Sequence, residues 1–309
     1  MNKANLFKHL KGATDIEKLT YLRSIGLPKN GPIFTQIKYN GVHVRLEVTN
    51  TQATFYTKPS DKFPDGKPYR KDYFKGIFDE LVAYLISLRT GPAPVNYYGE
   101  FLIPHTRLQD IAGEVAVNRN EIGEYAKKGL YVVFYDRFDT GDLIVNQPFS
   151  QRYKTLKAEL GPVTPTRWRV AWCEATSILG VADTTFKDAL EAGEEGVMYR
   201  VDPCYLVENT PTWHFIKRKK IYDMEGRVIQ VYEGKGKHEG CLGSLEVRLS
   251  SGSIVKVGRG EGWTEAKLAK LWADRDKLIG QTVTFSYEEM SKTGIPLRNQ
   301  LIAIRNYES

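Results

Sequence analysis

Lys217 and Lys219 stand two apart in the run Trp213-His214-Phe215-Ile216-Lys217-Arg218-Lys219. In an extended strand residues i and i+2 share a face, so both ammonium groups point the way Trp213 and Phe215 do. Two convergent cations suit a phosphate, and the same pattern describes a solvated basic strand; the run alone leaves both readings open. A third lysine, Lys38, precedes Asn40-Gly41, the dipeptide most typical of tight hairpins. An amine must be neutral to attack phosphorus, and a free lysine, with a pKa of about 10.4, is neutral on the order of one part in a thousand at neutral pH. Cationic neighbours favour the neutral form. Other chemistries find less support. Cys173, Cys204 and Cys241 form no CxxC, and His9, His43, His105, His214 and His238 form no HExxH pair, so neither a zinc centre nor a disulfide framework is expected. The glycines at 234, 236, 258, 260 and 262 lack the strand–loop–helix order of a phosphate loop and read as turns.

The elements that must position these lysines fall into two textures. Thr14-Asp15-Ile16-Glu17 is a capping box opening a helix that Gly26 ends. IFTQIK and VHVRLEV alternate as strands, and Asn40-Gly41 predicts a hairpin between them with Lys38 at its mouth. Residues 57–73 form a loop rich in Pro, Gly, Lys and Tyr, basic enough to touch a phosphate backbone. Ile77, Phe78, Leu81, Val82, Leu85 and Ile86 follow a helical period, YYGEFLI and LYVVFYD read as buried strands, and SQRYKTLKAELG and DTTFKDALEAG read as helices. That is a mixed sheet flanked by helices. Beyond the KRKK run the chain becomes short strands around VIQVYEG, SLEVRL, IVKVG, TVTFSY and LIAIR, with one helix near 264–278, which suits a small barrel of the OB type. The boundary is placed at Ile221, giving domains 1–220 and 221–309.

The chain of 309 residues, 41% hydrophobic and 26% charged, has room for two globular cores and excludes a disordered protein. No apolar run approaches a membrane span and no signal core opens it, so a cytoplasmic protein with no membrane partner is expected. The net charge of +7 suits a polyanionic partner. The first 220 residues hold 31 basic against 25 acidic side chains, the remainder 13 against 12, so the excess lies with the lysines.

In chain order come Lys38-Tyr39-Asn40-Gly41, Tyr98-Gly99-Glu100, Val133-Phe134-Tyr135-Asp136, Glu195-Gly196-Val197-Met198-Tyr199-Arg200 and Lys217-Arg218-Lys219, followed by the barrel with GKGKHEGCLGSLEVRL and VKVGRGEGWTEA. This order resembles the covalent nucleotidyltransferase superfamily, and most closely the compact ATP-dependent DNA ligases of the phage and viral type. The resemblance implies an α+β fold: a nucleotidyltransferase domain of ATP-grasp-like mixed sheets with helices, then a C-terminal OB-fold β-barrel. It implies nick sealing in duplex DNA, with ATP as AMP donor and Mg²⁺ or Mn²⁺ as the metal, in a monomer residing in the cytoplasm, the host's if phage-encoded. Lys38 then takes the place of the nucleophile that accepts AMP, Lys217 and Lys219 of the pair gripping the α-phosphate, and Tyr135 of the aromatic stacked on adenine. Glu100 takes the place of a ribose or metal contact and Glu195 of a metal ligand.

Several positions depart from the family pattern. KxDGxR reads Lys38-Tyr39-Asn40-Gly41-Val42-His43, losing the aspartate and the arginine, and Arg45 shares the strand parity of His43 and could reach over it to supply the missing cation. Gln36 replaces a glutamate facing the adenine amine; its carbonyl can accept that hydrogen bond, while a flipped amide would donate toward guanine. Lys58 stands for an arginine on the nick phosphate, Arg152 for a motif arginine assigned to DNA, and Arg305, with Arg298 beside it in the barrel, for the arginine that orients pyrophosphate. The rival readings are an RNA ligase or RNA-capping guanylyltransferase of the same superfamily and, from another class, a catalytically degenerate nucleic-acid-binding protein.

Overall fold

The structure, a computed structural model, describes residues 30–57, 74–115, 121–139, 147–162, 167–202 and 215–305, together with 17, 19, 20, 23 and 24, which are helical. The chain divides into two compact units, Met1–Lys219 and Lys220–Ser309.

The first unit is built on two sheets. Strands β1 (Ile33–Lys38), β2 (Val42–Val48), β3 (Ala53–Tyr56), β4 (Val95–Leu102), β5 (Tyr131–Asp139), β6 (Trp168–Val170), β7 (Cys173–Thr176), β8 (Gly196–Arg200) and β9 (Phe215–Lys219) sort into a four-stranded sheet, β7-β1-β8-β9, and a five-stranded sheet, β3-β2-β4-β5-β6. The alternation that predicts each strand also tells its faces apart. Val44, Leu46, Tyr97, Phe101 and Phe134 pack from one face of the larger sheet on Phe78, Leu81 and Leu85 of the helix Lys75–Ser87 and on Phe74 just before it, the ring centres of Phe74 and Phe101 lying 4.5 Å apart. Ile33, Val197 and Tyr199 of the smaller sheet pack on Ala182 and Ala189 of the helix Leu179–Glu191. Apolar burial thus occupies the face of each sheet that carries its helix. The faces that remain hold Gln36, Lys38 and Lys219 on one sheet and His43, Glu100 and Tyr135 on the other.

A buried charge cluster joins those two faces. Asp136 on β5 is fully buried and accepts from Arg152 of the helix Phe149–Leu160 at 2.9 and 3.0 Å and from Arg200 of β8 at 2.5 Å. Both guanidiniums also lie over Phe149, Arg200 at 4.4 Å from its ring centre. Arg152 is 2% exposed, so its assignment to DNA is corrected: burial and the Asp136 bonds make it a structural clamp.

The hairpin expected between β1 and β2 is also absent. The two strands lie in different sheets, β1 pairing with β7 and β8 and β2 with β3 and β4. Asn40-Gly41 still turns the chain, and glycine is required there by close approach, because a Cβ on Gly41 would sit 2.5 Å from the Phe101 carbonyl oxygen. The three residues Tyr39–Gly41 therefore carry the chain from one sheet to the other.

In the second unit β10 (Tyr222–Glu233), β11 (Leu242–Arg248), β12 (Ile254–Gly258), β13 (Thr282–Tyr287) and β16 (Gln300–Arg305) close into a barrel in the order β10-β11-β12-β16-β13. A two-stranded ribbon of β14 (Glu289–Met290) and β15 (Pro296–Leu297) interrupts the last crossing. The helix Glu265–Ala273, N-capped by Thr264, buries Leu268 into a core of Val247, Val257, Val283 and Phe285. This is the five-stranded OB architecture expected from the strand count. Among the described residues no helix is long and apolar enough to cross a membrane.

Removing one partner of a buried ion cluster leaves the others uncompensated. Arg152→Ala is expected to lower the unfolding free energy by about 3–5 kcal/mol, measured by urea denaturation of the whole chain.

Candidate active site

The site grows from the register of the four-stranded sheet. Lys38 pairs with Gly196, and Gly196 pairs with Lys219, so the two lysines flank the central strand on one face. Gly196 makes this approach possible: its φ is +148° and a Cβ would meet the Arg218 carbonyl oxygen at 2.2 Å. Glu195, immediately before it, receives both amines, Lys38 Nζ at 2.5 Å on Oε2 and Lys219 Nζ at 3.3 Å on Oε1. One register step further, Gln36 pairs with Met198 and Met198 with Lys217. Lys217 lies on the same face, exposed and without a partner among the described residues.

The opposite wall comes from the five-stranded sheet, where the register skips Tyr135: Tyr98 pairs with Asp136 and Gly99 with Phe134. This β-bulge places Tyr135 and Asp136 on the same face as Glu100 and His43, where strict alternation would send one of them into the core. Gly99 admits the bulge, since a Cβ there would stand 2.7 Å from the Val133 carbonyl oxygen. Burial pushes the Tyr135 phenol far above its ordinary range, so it stays protonated, and its hydroxyl lies 3.1 Å from His43 Nδ1. Arg200 lies 5.5 Å from the Tyr135 ring centre. Tyr135 is only partly buried, leaving aromatic surface available for stacking.

Gln36 links the walls. Its amide nitrogen donates to the Tyr135 carbonyl at 3.1 Å, while its carbonyl oxygen is buried with no hydrogen-bond partner among the described residues. The side chain is 1% exposed, and an orphaned buried acceptor costs free energy until a donor fills it. The hydrogen-bond network thus selects the amide orientation that accepts.

Glu100 Oε2 accepts the Gly41 backbone N–H at 2.9 Å, tying the chain segment after Lys38 to the opposite sheet. Burial raises its carboxyl from 4.5 to about 7, against the opposing pull of Lys38 and the Gly41 bond. Among the described residues no group of three or more His, Cys, Asp or Glu side chains could hold a metal by itself. Glu100 and Glu195, which interact electrostatically across the site, are hard oxygen donors of the kind that suit Mg²⁺, an ion that takes one or two carboxylates and completes its shell with water and substrate phosphates.

Other expected residues lie elsewhere. The Asn40 carboxamide makes no hydrogen bond among the described residues. Arg45 is held over Tyr56 at 4.2 Å and bonded to Asn96 and Glu47, toward the far end of β2, so it does not reach over His43. Lys58 lies outside the described residues. Arg298 and Arg305 belong to the second unit, Arg298 paired with Glu288 at 2.5 Å and Arg305 with Thr284 at 2.8 Å and Glu225 at 3.4 Å. Sequence reading passes over Asp136, Arg200 and Gly196 as parts of the site, though each lies inside a quoted motif. The signal available was two consecutive polar-faced residues, Tyr135-Asp136, in an otherwise apolar strand.

Comparison with known proteins bears on this arrangement. Residues 233–305 match the DNA ligase OB-like domain family, to which the barrel belongs. A probable DNA ligase of Streptomyces griseus is 26% identical over 276 residues, covering 84% of this chain and 51% of the relative. Among solved structures, Pmar-Lig_Pre superposes with a TM-score of 0.70 at 19% identity, over 90% of this chain and 64% of its own. A Lig E DNA ligase, described as binding DNA with a minimal scaffold, superposes with a TM-score of 0.62 at 19% identity, over 92% of this chain and 95% of its own. The chain shares the fold of these DNA ligase structures over both of its units. It spans about half the length of the curated relative and 64% of the first of these structures.

The Glu100 shift has a stability consequence with a definite sign. Because the folded state holds this proton more tightly than the unfolded chain, the contribution of Glu100 to stability is greatest at low pH and falls as pH rises from about 4.5 to about 7, by about 3 kcal/mol. Glu100→Gln, which preserves an acceptor for Gly41, is expected to remove that fall. Urea unfolding at pH 5.5 and pH 8 in EDTA, wild type against variant, measures it.

Proposed function

We propose that the protein is an ATP-dependent DNA ligase that seals 5′-phosphate/3′-hydroxyl nicks through a lysyl-AMP intermediate. The observation that carries this reading is the row Lys38–Gly196–Lys219 with Glu195 between the two amines, set below the orphaned acceptor of Gln36. In the first step the Lys38 amine attacks the α-phosphorus of ATP, the P–N bond forms, and the bond to the β-phosphate oxygen breaks to release pyrophosphate. Glu195 orients the amine and is the nearest acceptor for the proton it sheds. Lys219, with Lys217 along the same face, supplies fixed positive charge where negative charge accumulates. The adenine amine satisfies the Gln36 oxygen and the ring stacks on Tyr135, which favours ATP over GTP. An oxygen of the DNA 5′-phosphate then attacks the phosphorus of lysyl-AMP, forming a P–O–P bond as the P–N bond breaks and frees the Lys38 amine. The adjacent 3′-hydroxyl attacks the DNA phosphorus, losing its proton, breaking the bond to AMP and closing the backbone.

Glu100 and Glu195 would hold a divalent cation, Mg²⁺ or Mn²⁺, which when bound neutralises phosphate charge. Asn40 stands where the resemblance places an aspartate, so a carboxylate is missing beside the reacting phosphate.

Incubation with α-labelled ATP and Mg²⁺ should leave label on the denatured wild-type chain and none on Lys38→Ala; label from GTP in preference to ATP would turn the reading toward capping. Absence of any adduct, in preparations cleared of pre-bound AMP, would promote the catalytically degenerate binding protein. With nicked duplex DNA as acceptor, Asn40→Asp is expected to speed single-turnover sealing by about tenfold, or about 1.4 kcal/mol of barrier, and an unchanged or lower rate would count against the role given to this position.

A further inference from the structure

The five-stranded sheet carries one more cation on its site face. His43 pairs with Glu100, Glu100 with Val133, and Val133 with Arg169 of β6, so these four residues form a row across the sheet on the face that holds the site. Arg169 is exposed and rests on Tyr131, 5.1 Å from its ring centre. Tyr131 shares the strand parity of Val133 and so the same face. No carboxylate lies within ion-pair distance of Arg169 among the described residues. Two strand spacings separate its strand from that of Glu100, roughly 10 Å.

The surroundings continue the pattern. Arg169, Lys128, Arg167 and Tyr131 line a groove of about 430 Å³ with Pro104 and Gly129. Lys128 is exposed and unpaired among the described residues, whereas Arg167 donates to the Leu130 and Lys127 carbonyls and braces the end of the helix Glu124–Gly129. Trp172, just past β6, is 48% exposed. Tyr39, the residue after the nucleophile, lies close enough to Arg169 and Glu194 for both charges to act on its phenol. Arg169, which lines the groove, therefore lies near the segment that presents Lys38.

We propose that Arg169, with Lys128, grips the sugar-phosphate backbone of the polynucleotide substrate a few nucleotides from the phosphate under attack. This rests on the ligase reading and assigns the surface on which its second substrate lies. Along one strand of B-DNA the axial rise is about 3.4 Å per nucleotide and the winding backbone path is longer, so a cation roughly 10 Å from Glu100 meets a phosphate at most about three nucleotides from the reacting one. An arginine seated on an aromatic ring and free of carboxylates presents its fork to phosphate oxygens with little reorganisation. Contacts of this kind position the duplex without reading its sequence.

The test compares the full chain with Arg169→Ala and Lys128→Ala, and with Arg107→Ala as a basic control on the same unit, in binding to nicked duplex DNA at several salt concentrations. Arg169→Ala is expected to weaken binding about tenfold and to reduce the slope of log affinity against log salt by about 0.9. Lys128→Ala should act in the same direction, and Arg107→Ala should match the wild type. Unchanged affinity and salt slope in Arg169→Ala overturn the proposal. Should that variant fail to fold, Arg169→Gln carries the same two expectations with a chain long enough to cover Tyr131. Lysyl-AMP formation is measured on each preparation. A wild-type chain that forms no adduct sinks the ligase reading itself, whereas adduct formation with no effect of Arg169 on DNA binding sinks only this assignment.

Discussion

Asp136 holds the first unit together as a site. Its carboxylate is the common acceptor for Arg152 and Arg200, one from a helix and one from the smaller sheet, and it stands on the larger sheet beside the partly buried ring of Tyr135. Two sheets that each bury an apolar face on their own helix need a reason to keep their polar faces in register beyond the edge-on contact of Phe34 with Phe149. A buried carboxylate with two guanidinium partners supplies that reason, because any slippage strands charge away from water. The placement of Gln36 against the Tyr135 carbonyl, and of Gly41 against Glu100, follows from that fixed relation.

The second constraint is steric. Gly41, Gly99 and Gly196 each stand where a backbone carbonyl from a neighbouring strand approaches too closely for any side chain. All three occur within the site: the turn after Lys38, the strand opposite the bulge, and the position between the two lysines. The site's charged groups converge because the backbones carrying them are allowed unusually close, and that closeness is written as missing side chains.

The strands and helices are legible in the sequence wherever burial imposes a period, as in VHVRLEV, YYGEFLI and the segment from Ile77 to Ile86, and the five strands of the barrel are legible for the same reason. Pairing is less so. Asn40-Gly41 satisfies every local requirement of a hairpin, yet β1 and β2 part company because their buried faces pack on different helices, a fact of tertiary structure that no dipeptide encodes. The bulge at Tyr135 is invisible for a related reason, since only the partner strand reveals that a residue has been skipped. Lys38, Glu195 and Lys219 stand out by type and order. Arg152 misleads because a buried arginine and a DNA-facing one look alike in sequence, and Arg169 goes unnoticed because its row is defined by three strands that precede it at a distance.

The bulge on β5 also bears on how such a chain can change over generations. A point substitution at Tyr135 alters one side chain and its contact with His43 and leaves the ladder intact, so that aromatic surface can be varied. Deleting a single residue there would restore a regular ladder and, by the period of two, turn either the aromatic ring or the Asp136 carboxylate into the hydrophobic core. A change of length at this point is accordingly costlier than most changes of identity: this wall of the cleft can vary by replacement, while gain or loss of a residue disrupts it.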